Sequence, residues 1–139
     1  MTSSIGATIA GIFLSFAMAG AQAAPTPLSL KKIDTTVGTG SQAVTGSTVT
    51  LHYTGWLLAP KQKEQHGPQF DSSRAGKPFT FKLGTGAVIK GWDEGIRGMR
   101  AGGKRTLIVP ADMAFGKKGM GSVPPTANLI FDIDLISVK

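Results

Sequence analysis

Only one stretch of this chain has helical spacing, and its own glycines keep it short. Val88, Ile89, Trp92, Ile96 and Met99 recur on one face of a 3.6-residue repeat, with Lys90, Asp93, Glu94 and Arg97 between them. Gly91, Gly95 and Gly98 hold that helix to about two turns. Elsewhere the period is two. Val49, Leu51 and Tyr53 face one way and Thr48, Thr50, His52 and Thr54 the other, the signature of a half-buried strand. Phe79, Phe81 and Leu83 alternate, as do residues 104–109, and Leu129, Phe131, Ile133 and Leu135 make one face of a last strand. A first short strand is expected over residues 28–34. Nineteen glycines and eight prolines supply the turns. Residues 58–69, polar and broken by two prolines, read as an exposed loop, and 110–128 as a long one. Such a chain is one α+β domain of four or five antiparallel strands around a single short helix.

The stretch from Phe70 to Trp92 carries the chemistry. It holds the aromatics Phe70, Phe79, Phe81 and Trp92, the lone carboxylate Asp71 and the aliphatic pair Val88 and Ile89. No histidine or paired acid accompanies them, and the whole chain lacks cysteine, which excludes disulfides, thiol catalysis and thiolate metal sites. This is the composition of an apolar pocket with one polar handle, better suited to holding an apolar group than to breaking bonds. His52 reads as a surface residue and His66 as a solvated loop residue, so no metal and no cofactor are expected. Gly38, Gly40 and Ala43 match a loose dinucleotide-binding spacing, but no helical stretch follows, and a pair of turns is the better reading. The net charge of +7 comes from scattered residues, with Lys31 and Lys32, Lys104 and Arg105, and Lys117 and Lys118 the only adjacent basic pairs. That pattern argues against nucleic acid and for a weak preference for anionic surfaces or acidic clients.

Residues 1–30 carry no charged side chain, and 5–20 are apolar and small. Ala21-Gln22-Ala23 then offers a small-x-small cleavage pattern, followed by Ala24-Pro25-Thr26-Pro27. The expected organisation is a signal peptide over 1–23, a linker and first strand over 24–36, and a folded domain over 37–139. The apolar segment is short and rich in Ala and Gly for a spanning helix. The expectation is an exported protein of the periplasm, with secretion as the alternative, touching membrane only through the signal peptide.

Six ordered motifs resemble the FKBP-type peptidyl-prolyl cis-trans isomerases: Leu51-His-Tyr-Thr-Gly55, Phe-Asp-Ser-Ser at 70–73, Lys-Pro-Phe at 77–79, Val-Ile-Lys-Gly-Trp at 88–92, Gly-Lys-Arg at 103–105, and Val123-Pro-Pro-Thr-Ala127 leading into Leu-Ile-Phe-Asp-Ile at 129–133. The resemblance spans residues 37–139. It implies a five-stranded antiparallel sheet wrapped around one short helix, and isomerisation of X-Pro bonds in unfolded or exported proteins. It implies Tyr53, Phe70, Phe81 and Phe131 as aromatic walls, Trp92 as the floor, and Val88 and Ile89 at the helix start, where the Ile89 amide meets a substrate or macrolide carbonyl. Asp71 would stand near the isomerising imide, with Tyr53 and Phe115 beside it, and Phe79 and Val123 would rim the site. The chain departs from the family where Phe115 replaces a usual tyrosine, removing a hydroxyl hydrogen bond worth about 0.5–1.5 kcal/mol. The turn at 74–77 and the loop after Lys118 are slightly short, and the 58–69 loop is long.

The implied chemistry needs no covalent step. Amide resonance sets a rotation barrier of about 18–20 kcal/mol, while X-Pro isomers differ by only about 0.5–1 kcal/mol. The planar imide is more charge-separated than the twisted one, so a water-poor pocket favours twisting. A competing function is a chaperone module that holds proline segments without turnover. A virulence-type surface factor like the macrophage infectivity potentiators is a third; the chain shows no long dimerisation helices of their kind, so a monomer is expected.

Overall fold

The computed structural model describes residues 28–139. The expected signal peptide and the start of the linker lie outside the described residues. Six strands, β1 (Lys31–Thr36), β2 (Thr48–Leu58), β3 (His66–Ser72), β4 (Phe79–Lys82), β5 (Lys104–Val109) and β6 (Leu129–Val138), form one antiparallel sheet. Their order is β1-β5-β6-β2-β3, with β4 also on β2. The long β2 makes this possible: its first residues, Thr48 to Leu51, pair with β4, and Thr54 to Leu58 pair with β3.

The one α-helix among the described residues, α1 (Lys90–Gly95), packs against β5. Two glycines set its distance. A Cβ on Gly95 would lie 2.7 Å from Leu107 Cδ1, and one on Gly91 would collide with Val109 Cγ1. The alternating apolar faces meet beneath the helix, where Leu51, Leu83, Ile96, Leu107, Leu129 and Ile133 are fully buried. Burial of such side chains is the main stabilising term, about 1.5–3 kcal/mol each.

A polar tie closes the far end. Buried Arg105 on β5 donates from Nε to Asp34 Oδ1 at 2.6 Å and from Nη2 to Oδ2 at 3.2 Å. Its Nη1 donates to the carbonyls of Gly95 (2.7 Å) and Arg97 (3.2 Å), satisfying acceptors at the helix C-terminus. The hydrogen bond from Arg105 holds the Asp34 carboxyl below its ordinary pKa.

Along the backbone and at His66 the structure departs from the sequence-based expectation. The first strand begins at Lys31 rather than 28. Residues 66–69 are not loop but the start of β3, and Pro68 is tolerated there because β3 is an edge strand. His66 is half-buried and not freely solvated: its ring stacks on Trp56, centroids 3.6 Å apart and planes within 8°. The helix begins at Lys90, with Ile89 extended as its cap (φ −61°, ψ 151°), so Val88 and Ile89 precede the helix instead of starting it.

Candidate functional site

Tyr53 stands on β2 facing the helix, and the Asp71-Ser72-Ser73 segment fixes both its ends. The Tyr53 N–H donates to Ser73 Oγ at 2.8 Å, and the Ser73 N–H donates back to the Tyr53 carbonyl at 2.9 Å. At the other end, the phenolic O–H donates to Asp71 Oδ2 at 2.7 Å, while Asp71 Oδ1 accepts the Ser72 N–H at 2.8 Å. Burial, and then the hydrogen bond and charge of Asp71, push the phenol pKa up to about 12. Tyr53 is therefore a neutral donor at any ordinary pH. Arg74, an alternative partner for Asp71, reaches Thr54 Oγ1 (2.9 Å) and Asp134 (3.0 Å) instead. That leaves Asp71 facing the hollow. His52, expected at the surface, is half-buried with Nδ1 2.9 Å from Ser73 Oγ.

Trp92 lies at the bottom, 5% exposed. The rings of Tyr53 (4.8 Å, 76°), Phe131 (5.3 Å, 80°) and Phe79 (6.0 Å, 68°) meet it edge to face. Its buried Nε1 has no hydrogen-bond partner among the described residues. Phe70 packs edge to face on Phe131 at 5.7 Å, over Gly55, where a Cβ would come within 2.8 Å of both rings.

The approach to the helix is held from below. Buried Asp93 accepts the N–H of Gly84 at Oδ1 (2.9 Å) and of Gly86 at Oδ2 (3.0 Å). Both glycines have positive φ, +83° and +77°, which lets the chain double back there. This clamp presents Val88 and Ile89 at the rim, and among the described residues no acceptor takes up the Ile89 N–H.

These elements enclose an open hollow of about 380 Å³. Of the residues expected at the site, Tyr53, Phe70, Asp71, Phe79, Val88, Ile89, Trp92, Phe115 and Phe131 line it. Phe81 and Val123 do not. Phe81, 7% exposed, packs behind Phe79 (5.6 Å) and Trp92 (6.0 Å), and Val123 is buried in the hydrophobic core. Sequence reasoning missed Ala87 in the lining, Asp93 beneath the loop and Gly55 behind the rings. Asp93 left a trace as a carboxylate on the helix between apolar positions, and Gly55 as the end of the Leu51–Gly55 motif. With a neutral phenol and one carboxylate as its ionisable groups, the hollow can grip an apolar ring and hydrogen-bond a carbonyl. It holds no nucleophile paired with a base.

The family model for FKBP-type peptidyl-prolyl cis-trans isomerases matches residues 39–136. The chain belongs to this family. It is 50% identical over 103 residues to an FK506-binding protein of Neisseria meningitidis serogroup A, covering 73% of this chain and 88% of that one. It is 46% identical over 106 residues to FK506-binding protein 4 of Emericella nidulans, covering 76% of this chain but only 21% of the fungal protein. The chain thus spans about a fifth of the length of such fungal relatives. Among solved structures, AtFKBP13 superposes with a TM-score of 0.68 at 42% identity, over 79% of this chain and 93% of that one. FkpA from Escherichia coli superposes with a TM-score of 0.69 at 35% identity, over 79% and 48%. Among the described residues, the six-stranded sheet around one short α-helix is the fold of this family.

Proposed function

We propose that the protein accelerates X-Pro isomerisation during the folding of exported proteins, by non-covalent stabilisation of the twisted imide in the aromatic hollow. The observation that carries this reading is the Trp92 indole set as the floor of an apolar hollow, with the Tyr53–Asp71 pair on one wall. A proline ring stacks on the indole, the Ile89 N–H, without an acceptor among the described residues, takes a neighbouring carbonyl, and the imide rotates in a water-poor space facing Asp71. Nothing covalent forms. The same hollow suits macrolides such as rapamycin, the class that the names of the FK506-binding relatives point to.

In this reading the protein is a bacterial monomer exported to the periplasm, with a signal peptide over 1–23 cleaved after Ala23 and an isomerase domain spanning 37–139. The small-x-small pattern at Ala21 to Ala23 supports it. Expression in a bacterial host, fractionation and N-terminal mass analysis test this part. A mature chain starting at Ala24 in the periplasmic fraction is the expected result; an uncleaved cytoplasmic product would rule it out.

Phe115 lines the hollow without the hydroxyl usual at that place, which favours a second reading as a holding module with little turnover. Proline-limited refolding, run beside aggregation suppression, separates the two. Faster refolding at catalytic amounts supports the isomerase, and suppression only at stoichiometric amounts supports the holdase.

A further inference from the structure

Beyond the aromatic floor, the loops around the hollow carry an uneven charge. Lys117 and Lys118 are exposed in a tight turn directly after Phe115, which lines the hollow. The turn is pinned: the Gly119 N–H donates to the Phe115 carbonyl at 3.2 Å, and the Thr126 N–H donates to the Gly116 carbonyl at 2.8 Å. Gly116 and Gly119 have positive φ, +58° and +68°, and Gly119 is crowded by the backbone of Val123 and Pro124. Both lysines therefore leave the backbone at a fixed place beside the wall. Lys77 is exposed and directly precedes Pro78 and Phe79 in the chain, and Phe79 lines the hollow. None of the three pairs with a carboxylate among the described residues, whereas Lys90, next to Ile89, is tied to Glu94 at 3.9 Å. Against them stand exposed Asp112 and Asp71, the latter engaged by Tyr53 and Ser72.

We infer that this lysine rim selects proline segments with acidic residues on either side of the X-Pro bond. The inference rests on the isomerase reading of the hollow and adds a substrate class to it. Charges at the edge of a low-dielectric cleft raise the local concentration of oppositely charged ligands, and salt weakens the effect because the screening length falls from about 30 Å at 0.01 M to about 10 Å at 0.1 M. The chain's net charge of +7 adds a long-range attraction of the same sign.

The test compares three X-Pro peptides that differ only at two positions on each side of the bond, filled by Glu, Gln or Lys, with kcat/KM measured at low and high salt. The Glu peptide should exceed the Lys peptide by about three- to tenfold at low salt, with the ratio collapsing toward one as salt rises. The double variant Lys117→Glu with Lys118→Glu should abolish or invert the ratio while leaving the Gln peptide unchanged. Equal rates for the Glu and Lys peptides at low salt, or a ratio that survives in the double variant, would overturn the inference alone. Failure to accelerate even the Gln peptide would remove the isomerase reading, and this inference with it.

Discussion

The Tyr53 hydroxyl donates to Asp71 Oδ2 at 2.7 Å, across two neighbouring strands and at the edge of the aromatic hollow. The pair couples the one carboxylate of the lining to the one phenol. Tyr53 remains a donor because burial opposes the phenolate, and the hydrogen bond to Asp71 and the charge of its carboxylate oppose it further.

That coupling is open to direct titration, since the chain has a single tyrosine. Ultraviolet absorbance of the phenolate should show a midpoint near about 12, against the ordinary 10.0. Asp71→Asn should lower it, leaving the part due to burial. A raised folded-state pKa contributes stability that is fully present below pH 10 and lost as pH rises toward 12. Denaturant midpoints measured across that window should therefore fall, and fall less in Asp71→Asn.

Trp92→Phe should separate catalysis from folding. A smaller ring at the floor costs about 1–3 kcal/mol through loosened packing, a fraction of typical domain stability. The loss in kcat/KM should be about tenfold or more, because the wide indole platform is gone while the backbone is retained. Circular dichroism beside peptide kinetics checks both; full activity in a folded variant contradicts the role of the indole.

Close approach of the helix to β5 is the condition for placing Trp92. Gly91→Ala sets a methyl against Val109 and should destabilise by about 1–3 kcal/mol in urea unfolding. Val109→Ala in that background should restore part of the loss, so that the two changes are strongly non-additive. Additive costs would mean that the helix is not held where Gly91 places it.

Asp34 and Arg105 predict an acid limb. Arg105 depresses the Asp34 pKa below 3.8, so the contribution is present above that pH and lost as pH falls through the folded-state value. Asp34→Asn should be less stable at neutral pH and should lose less stability on acidification below about pH 4. Parallel stability curves for the two proteins would exclude the tie.

Legibility in the sequence followed physical range. β2, β5 and β6 were readable because each buries one alternating face, and the helix because Trp92, Ile96 and Met99 share a stripe. β3 was not, because an edge strand held through His66, Gly67 and Pro68 needs no apolar alternation; its pairing with β2 and the Trp56–His66 stack define it. In the site, large aromatics announced themselves through residue type and motif register. Phe81 and the aliphatic Val123 stood in the same motif register, yet both are core, since neighbours in space and not in sequence decide which side chains meet solvent. The Asp93 clamp and the space at Gly55 arise from tertiary contacts that no local pattern carries.

The central claim is that the hollow over Trp92 lowers the barrier to X-Pro rotation. Exchange spectroscopy by NMR on an X-Pro peptide with catalytic amounts of protein measures that directly. The account predicts cis–trans exchange accelerated far above the uncatalysed timescale of tens to hundreds of seconds, blocked by a macrolide and strongly weakened in Trp92→Phe. A folded protein that binds the peptide and leaves its exchange rate unchanged would contradict it.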